Sequence, residues 1–181
     1  MNNEIFTLIN SQAGDNNYLD GVMVFSAHYL IYILFAAAAS CIVYLMVKKQ
    51  WKEIALFFIT LALAFGLSLI AAKLFISDRP FVDNSVTQLI PHAANQSFPS
   101  DHTTAAIAIA LATIAFTRFK KTGWLFLATA LLIGFSRIFT GVHYPFDIAG
   151  GIAVGFIATV VVSFVLRRFD KTKSPVVTTD D

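Results

Sequence analysis

The chain has 181 residues, of which 57% are hydrophobic and 13% are Asp, Glu, Lys or Arg, against about 25% charged in an ordinary soluble domain. With 18 Phe and a mean hydropathy of +0.71, it carries more apolar surface than a soluble fold of this size can hide. Nine Gly, five Pro and one Cys exclude collagen-like, disordered and disulfide-rich classes, and the composition indicates a membrane protein.

In chain order, residues 2–10 place Ile5, Phe6, Leu8 and Ile9 among polar neighbours. The segment is too short to span and predicts a helix lying along the membrane surface. It lacks the basic start of a signal peptide, and the apolar run that follows is too long for one. Spans of about 20 apolar residues each are predicted over 22–47, 54–76 and 148–166. Shorter runs at 103–117 and 124–139 complete five spans if their polar ends sit in the interface. Gly150, Gly151 and Gly155 mark the last span as one that packs closely on a neighbour. Cys41 lies inside the first span and has no disulfide partner. The polar tail from Asp170 to Asp181 is expected to fray. The predicted fold class is all-α: a helical membrane bundle of five spans plus a short N-terminal interfacial helix, in one domain over 1–181.

The cations orient this bundle. Lys48, Lys49 and Lys52, then Arg118, Lys120 and Lys121, then Arg167, Arg168, Lys171 and Lys173 fall on one face when the spans alternate. The positive-inside rule makes that face cytoplasmic, with Trp51 and Trp124 as interface anchors. Only Lys73, Arg79 and Arg137 fall on the opposite face.

That outer face also gathers histidines and Pro-punctuated loops in three clusters: 73–80, 98–102 and 136–147. Guanidinium groups make paired hydrogen bonds to phosphate oxygens, and helix N-termini offer free N–H groups and a positive dipole end. Arg79, Arg137 and the helix start at Pro99-Ser100-Asp101-His102, with Ser100 at the N-cap, therefore suit a phosphate. By themselves the arginines serve equally well as interface anchors. His143 precedes Asp147 by four residues; a carboxylate on one ring nitrogen fixes the tautomer and leaves the other nitrogen nucleophilic. His102 is a second imidazole able to protonate a leaving oxygen. The set suffices for phosphoryl transfer through a phosphohistidine without a metal or other cofactor, since arginines neutralise the developing charge. Two histidines and an aspartate could bind zinc, but neighbouring arginines would repel the cation.

Arg79-Pro80, Pro99-Ser100-Asp101-His102 and SRIFTGVHYPFD at 136–147 together resemble the three-part signature of the type 2 phosphatidic acid phosphatase (lipid phosphate phosphatase) superfamily. The stretch IPHAANQSFPSDHTT at 90–104 is similar to the bacitracin-resistance type of undecaprenyl-diphosphatase within it. The resemblance implies His143 as nucleophile, Asp147 as its orienting partner and His102 as general acid. Arg79, Arg137, Ser100 and Lys73 would bind phosphate, and no metal is implied. It also implies six family helices, the sixth here being the short N-terminal segment.

Two positions depart from the superfamily pattern. Five residues separate Lys73 from Arg79, where the pattern usually has six. At about 100° per residue, seven steps nearly restore a helix face and six leave it about 120° away. Lys73 therefore reads equally well as a cation at a helix C-terminus. Asp101 replaces the usual Gly and adds a negative charge beside an anion site, a feature the bacitracin-resistance type shares.

His28, followed by Tyr29 and Tyr32, reads as a packed side chain. His92 is placed at the site mouth, Leu89 and Ile90 as loop anchors, and Asp78 and Asp83 beside Arg79. The expected reaction is hydrolysis of undecaprenyl diphosphate in the outer leaflet, with the lipid tail between helices and the site at the extracytoplasmic end. Expected partners are the polyprenyl diphosphate and membrane lipids, with no nucleic acid. Phosphatidylglycerophosphate or phosphatidate hydrolysis, and anion transport without catalysis, remain open from the residues alone.

Overall fold

The computed structural model describes residues 2–83 and 86–171, excepting the side chains of Asp83 and of 169–171. Most of the polar tail, including Lys173, lies outside the described residues, as does the Asp83 side chain. The described residues form eight helices and no strand: α1 (Asn2–Asn10), α2 (Asn17–His28), α3 (Leu30–Val47), α4 (Trp51–Leu74), α5 (Pro80–Asp83), α6 (Asp101–Phe116), α7 (Lys120–Phe139) and α8 (Pro145–Lys171). The protein is an all-helical, multi-pass membrane bundle.

Among the described residues, four helices are long and apolar enough to cross a membrane: α3, α4, α7 and α8 up to Arg168. The fifth expected span, α6, is a shorter apolar helix of 16 residues. The first expected span, 22–47, is not one helix; it is divided at Tyr29, which ends α2 and caps α3. The polar half before Tyr29 begins at an Asn16 cap whose side chain accepts from the Tyr18 and Leu19 N–H groups, so a capped helix starts five residues before the expected span.

α6 lies at the centre because it is small and apolar all round. Ala106, Ile107, Ala108, Ile109, Ala110 and Ala112 are all buried. Its Thr113 hydroxyl returns to the Ile109 carbonyl at 2.7 Å, which removes the cost of burying a hydroxyl in an apolar layer. α8 approaches α6 through the expected glycines. A Cβ on Gly151 would stand 3.0 Å from the Ser100 carbonyl oxygen and from the Thr104 nitrogen, and one on Gly155 would stand 2.7 Å from Ile107. In lipid, where water no longer drives helices together, such close backbone approach supplies the packing. Phe58, Phe65, Leu69, Phe156 and Phe164 point outward and are half or more exposed, as a lipid-facing surface requires.

The turns carrying Lys48–Lys52 and Arg118–Lys121 lie together at one end, where the Glu53 carboxylate accepts from the Arg118 N–H at 3.0 Å. Trp51 and Trp124 stand exposed at the starts of α4 and α7. The opposite end is closed by α1. Its Phe6 packs with Ile138 and Ile148, edge-on to Tyr144 at 5.2 Å. Asn10, buried, donates to the Thr87 and Phe139 carbonyls at 2.8 and 2.9 Å and accepts from the Thr87 N–H at 3.0 Å. That clamp seats the 86–98 loop on the end of α7. Ile90 in this loop packs inward on Ala27 and Val142, as an anchor does.

Candidate active site

At the closed end, the C-terminal ends of α4 and α7 meet the N-terminal ends of α6 and α8. Two positive dipole ends therefore face a shared space. Pro145 opens α8 at a position where its missing N–H costs nothing, which puts Asp147 in the first turn. His143 sits in the preceding turn, with its backbone N–H on the Arg137 carbonyl at 3.3 Å. That turn is closed by Gly141 at a φ of +79°, a left-handed conformation that favours glycine.

His143 and Asp147 are both almost fully buried. Nδ1 of the imidazole stands 3.3 Å from Asp147 Oδ2 and 3.1 Å from Ser97 Oγ. The Ser97 hydroxyl itself donates to Asp147 Oδ2 at 2.5 Å, and the Tyr144 N–H donates to the same oxygen at 2.8 Å. With Ser97's proton committed to the carboxylate, Nδ1 is left as the donor, and the lone pair falls on Nε2. Burial lowers the His143 pKa to about 3; the hydrogen bond with Asp147 opposes that fall, while Arg137 and Arg79 reinforce it. The ring is a neutral imidazole at physiological pH.

Nε2 faces Arg79, whose Nη1 stands 3.2 Å away. Arg79 is buried and held on three sides: Nε donates to Asn95 Oδ1 at 2.9 Å, Nη1 to the Val142 carbonyl at 3.0 Å and Nη2 to the Gln96 carbonyl at 3.3 Å. Burial lowers its pKa, with Asp147 and Asp101 opposing; a guanidinium stays charged regardless. Asp78, adjacent in sequence, is exposed, and Asn95 braces Arg79 instead. Gln96 in turn binds the end of α4, donating to the Ala72 and Phe75 carbonyls.

Arg137, in the last turn of α7, is buried. One nitrogen, Nη1, donates to the Ala27 carbonyl at 3.3 Å. Its Nε and Nη2 have no hydrogen-bond partner among the described residues. A buried guanidinium with two free donors is an anion-binding element in waiting. The neighbouring Asp147 Oδ1 is likewise unpartnered.

Ser100 occupies the N-cap position of α6, as the sequence indicated, but its hydroxyl does not cap. Instead Oγ accepts from the Thr103 hydroxyl at 3.1 Å, while the Ser100 N–H donates to the Asp147 carbonyl at 3.1 Å and ties α6 to α8. His102, half-buried in the first turn of α6, feels the charges of Arg137, His92, His28 and Arg79. The His92 ring lies 6.3 Å from that of His143, at the mouth; burial lowers its pKa, and its bond to the Ala93 carbonyl opposes this. His28, expected to be packed, is exposed and meets only the edge of the exposed Tyr29 ring at 4.7 Å among the ring contacts of the described residues. Lys73 is exposed in the last turn of α4, at the negative end of the helix dipole.

His143 thus touches both Arg79 and Asp147, with the Ser100 N–H on the Asp147 carbonyl, the Arg137 carbonyl on the His143 N–H, and His102 at the head of the adjoining cavity. Sequence reasoning missed Ser97, Asn95 and Gln96. Ser97 lies three residues before Ser100 in the 90–104 stretch, yet its partners are 46 and 50 residues away, so no local spacing marks it. From His102 and Asp101, a cavity of 460 Å³ runs down between α3, α4 and α6, past Tyr32, Phe65 and Ala108. Among the described residues, no group of three or more His, Cys, Asp or Glu is placed to hold a metal ion.

Residues 53–170 match the PAP2 superfamily. The chain is 38% identical over 180 residues to undecaprenyl-diphosphatase BcrC of Bacillus subtilis (strain 168), covering 98% of this chain and 88% of that protein. Its fold is similar to LpxE of Aquifex aeolicus, with a TM-score of 0.73 at 27% identity over 90% of this chain and 94% of that one. It is also similar to the PAP2-type phosphatidylglycerolphosphate phosphatase of Bacillus subtilis, with a TM-score of 0.64 at 22% identity over 95% and 87% of the two chains. The chain therefore belongs to the PAP2 superfamily.

Proposed function

We propose that this protein is a lipid diphosphate phosphatase that converts undecaprenyl diphosphate to undecaprenyl phosphate and inorganic phosphate, recycling the cell-wall lipid carrier. The observation that carries the reading is the pairing of His143 Nε2 with Arg79 at 3.2 Å, beside an Arg137 with two free donors, at the head of an apolar cavity. The similarity to undecaprenyl-diphosphatase BcrC over nearly the whole chain supports the choice of lipid.

In this reading the terminal phosphate replaces the Arg79–His143 hydrogen bond, its oxygens taking donors from Arg79, Arg137, the Ser100 hydroxyl and the α6 N-terminus. Lys73 adds charge at the rim. His143 Nε2 attacks the terminal phosphorus, an N–P bond forms, and the bond to the bridging oxygen breaks. His102 gives its proton to the departing lipid phosphate. Water then attacks the phosphohistidine; His102 takes a proton from that water, phosphate leaves, and His143 returns to neutral imidazole. Asp147 stabilises the charge that His143 develops when it becomes phosphorylated. The arginines neutralise the phosphoryl group, so the reaction proceeds without a metal.

The whole of 1–181 acts as one membrane-embedded unit, its signature confined to 73–147. The basic end faces the cytoplasm, together with the C-terminus, and the site opens to the outside. Removal of outer-leaflet diphosphate lipid would also confer bacitracin resistance, in line with the resemblance at 90–104.

The decisive experiment is phosphate release from undecaprenyl diphosphate by the purified protein, with EDTA present. Turnover by the wild type and none by His143→Ala are expected, with an acid-labile phosphoenzyme trapped from the wild type. Undiminished turnover by His143→Ala overturns the mechanism, and a requirement for added metal overturns its metal independence.

A further inference from the structure

The 460 Å³ cavity below His102 does not end in the upper half of the bundle. A second cavity of 290 Å³ continues along the same three helices towards the basic end, past Ala38, Val43 and Phe57. The two share Phe35, Leu61 and Ile109, one side chain each from α3, α4 and α6. Small residues open the space: Ala64 and Ala108 in the upper chamber, Ala38 and Ala39 in the lower. From Ser68 to Phe57 the lane follows eleven residues of α4, about 16 Å of helix. A bilayer core is about 30 Å thick, so a lane of that length that starts just below the outer-facing site reaches the midplane region, as deep as a tail of one leaflet goes.

We propose that the two cavities are one lane that holds a single long hydrocarbon tail in single file through a Phe35–Leu61–Ile109 window, and so selects one-tailed polyprenyl diphosphates over two-tailed phospholipids. The inference rests on the proposed function, since the occupant is the tail of the lipid whose phosphate lies at His143. It adds the number of tails and the element that counts them. Where the chambers meet, buried Ile109, half-buried Leu61 and half-exposed Phe35 narrow the lane to a groove for one chain, with Phe65 and Phe58 along its lipid-facing side. A second chain would have to lie outside, on the lipid-facing surface, without the buried contact that the lane provides. The lane is continuous with the site through His102 and Asp101, which line its upper end, and this continuity distinguishes it from the ordinary furrows between helices that bulk lipid fills.

The test compares kcat/KM in detergent micelles for undecaprenyl diphosphate, farnesyl diphosphate and dioleoyl phosphatidate. Wild-type protein is expected to prefer undecaprenyl diphosphate to both. Leu61→Trp blocks the window and should lower the undecaprenyl-to-farnesyl ratio about tenfold, the equivalent of roughly two methylenes lost from burial. Phe35→Ala removes a half-exposed side chain, is expected to fold, and widens the window. It should raise the phosphatidate-to-undecaprenyl ratio several-fold, and it carries the test if Leu61→Trp does not give a monodisperse protein. Equal wild-type turnover of phosphatidate and undecaprenyl diphosphate, or ratios unmoved by the variants, overturns the single-file lane and leaves the phosphatase reading standing. No phosphate released from any of the three lipids by wild type overturns that reading itself, and the lane with it.

Discussion

The Ser97 hydroxyl donates to Asp147 Oδ2 at 2.5 Å while standing 3.1 Å from His143 Nδ1. One buried serine thus touches both members of the proposed nucleophile pair and fixes which of them carries the proton. Ser97 is itself pinned, through its backbone N–H, to the Ser77 carbonyl at 2.9 Å, so its position is set by the loop and not by the pair it serves. Ser97→Ala removes one donor from a buried carboxylate, a change of about 1–3 kcal/mol. We expect kcat to fall roughly ten- to a hundredfold with KM little changed, and Ser97→Thr to recover part of the loss. A fall confined to KM would contradict the positioning role.

Arg79 makes three hydrogen bonds to the protein and a fourth contact to Nε2. Lysine keeps the charge but offers neither the fork nor the reach to satisfy Asn95, Gln96 and Val142 together. Arg79→Lys should lower kcat/KM by about a hundredfold or more, equivalent to some 2.7 kcal/mol. Steady-state kinetics on undecaprenyl diphosphate checks this.

Stability should respond to pH through His143. Its pKa is lowered by burial to about 3, whereas an unfolded chain holds His near 6.5. Between those values the unfolded state binds the extra proton, so stability is full above about 6.5 and is lost as pH falls towards 3, at most by about 1.4 kcal/mol per pH unit. His143→Gln carries no such proton. Thermal melts in detergent from pH 7 to 4 should show a shallower acid decline for the variant than for wild type; parallel declines would refute the buried neutral imidazole.

The short N-terminal helix is more than a cover. Asn10 ties Thr87 and Phe139 through three hydrogen bonds, and the loop it seats carries Asn95 and Gln96, which hold Arg79. Asn10→Ala leaves the buried Phe139 carbonyl unpaired, at a cost of about 1–3 kcal/mol. Both Tm and kcat/KM should fall, with His143–Asp147 chemistry slowed although 133 residues of chain separate Asn10 from His143.

Gly151 and Gly155 should differ. A Cβ on Gly151 meets backbone atoms of Ser100 and Thr104 at 3.0 Å, while one on Gly155 meets the buried, β-branched Ile107 at 2.7 Å and the Ala108 nitrogen at 3.1 Å, neither of which can turn aside. Both alanine variants should therefore destabilise by about 1–3 kcal/mol, Gly155→Ala at least as much as Gly151→Ala, whereas activity should fall more in Gly151→Ala, which moves Ser100. Melting temperature and turnover of the two variants give the ordering directly.

The chain-order reading found the helices because burial in lipid demands long apolar runs, a signal carried by every residue in the run. It misjudged 22–47, where one apolar stretch is broken at Tyr29 and the polar turn before it starts a separate capped helix. Apolarity reports the environment of a segment, not the continuity of its hydrogen bonds. His143 and Asp147 were legible because four residues on a turn entering a helix bring them together locally. Ser100 was rightly placed at the start of α6, but its hydroxyl turns to Thr103 and not to the helix end, a choice made by the neighbours packed on it.

Hydropathy and charge placement alone establish a membrane bundle that sets three of its cations apart beside two histidines, because charge in lipid is too costly to be placed at random. Tertiary packing alone joins Ser97 to His143 and Asp147, holds Arg79 with Asn95 and Gln96, and leaves a cavity between α3, α4 and α6 below His102. Those contacts span from about 16 to more than 60 residues of chain, and their distances follow from how α4, α6, α7 and α8 converge, which no local pattern encodes.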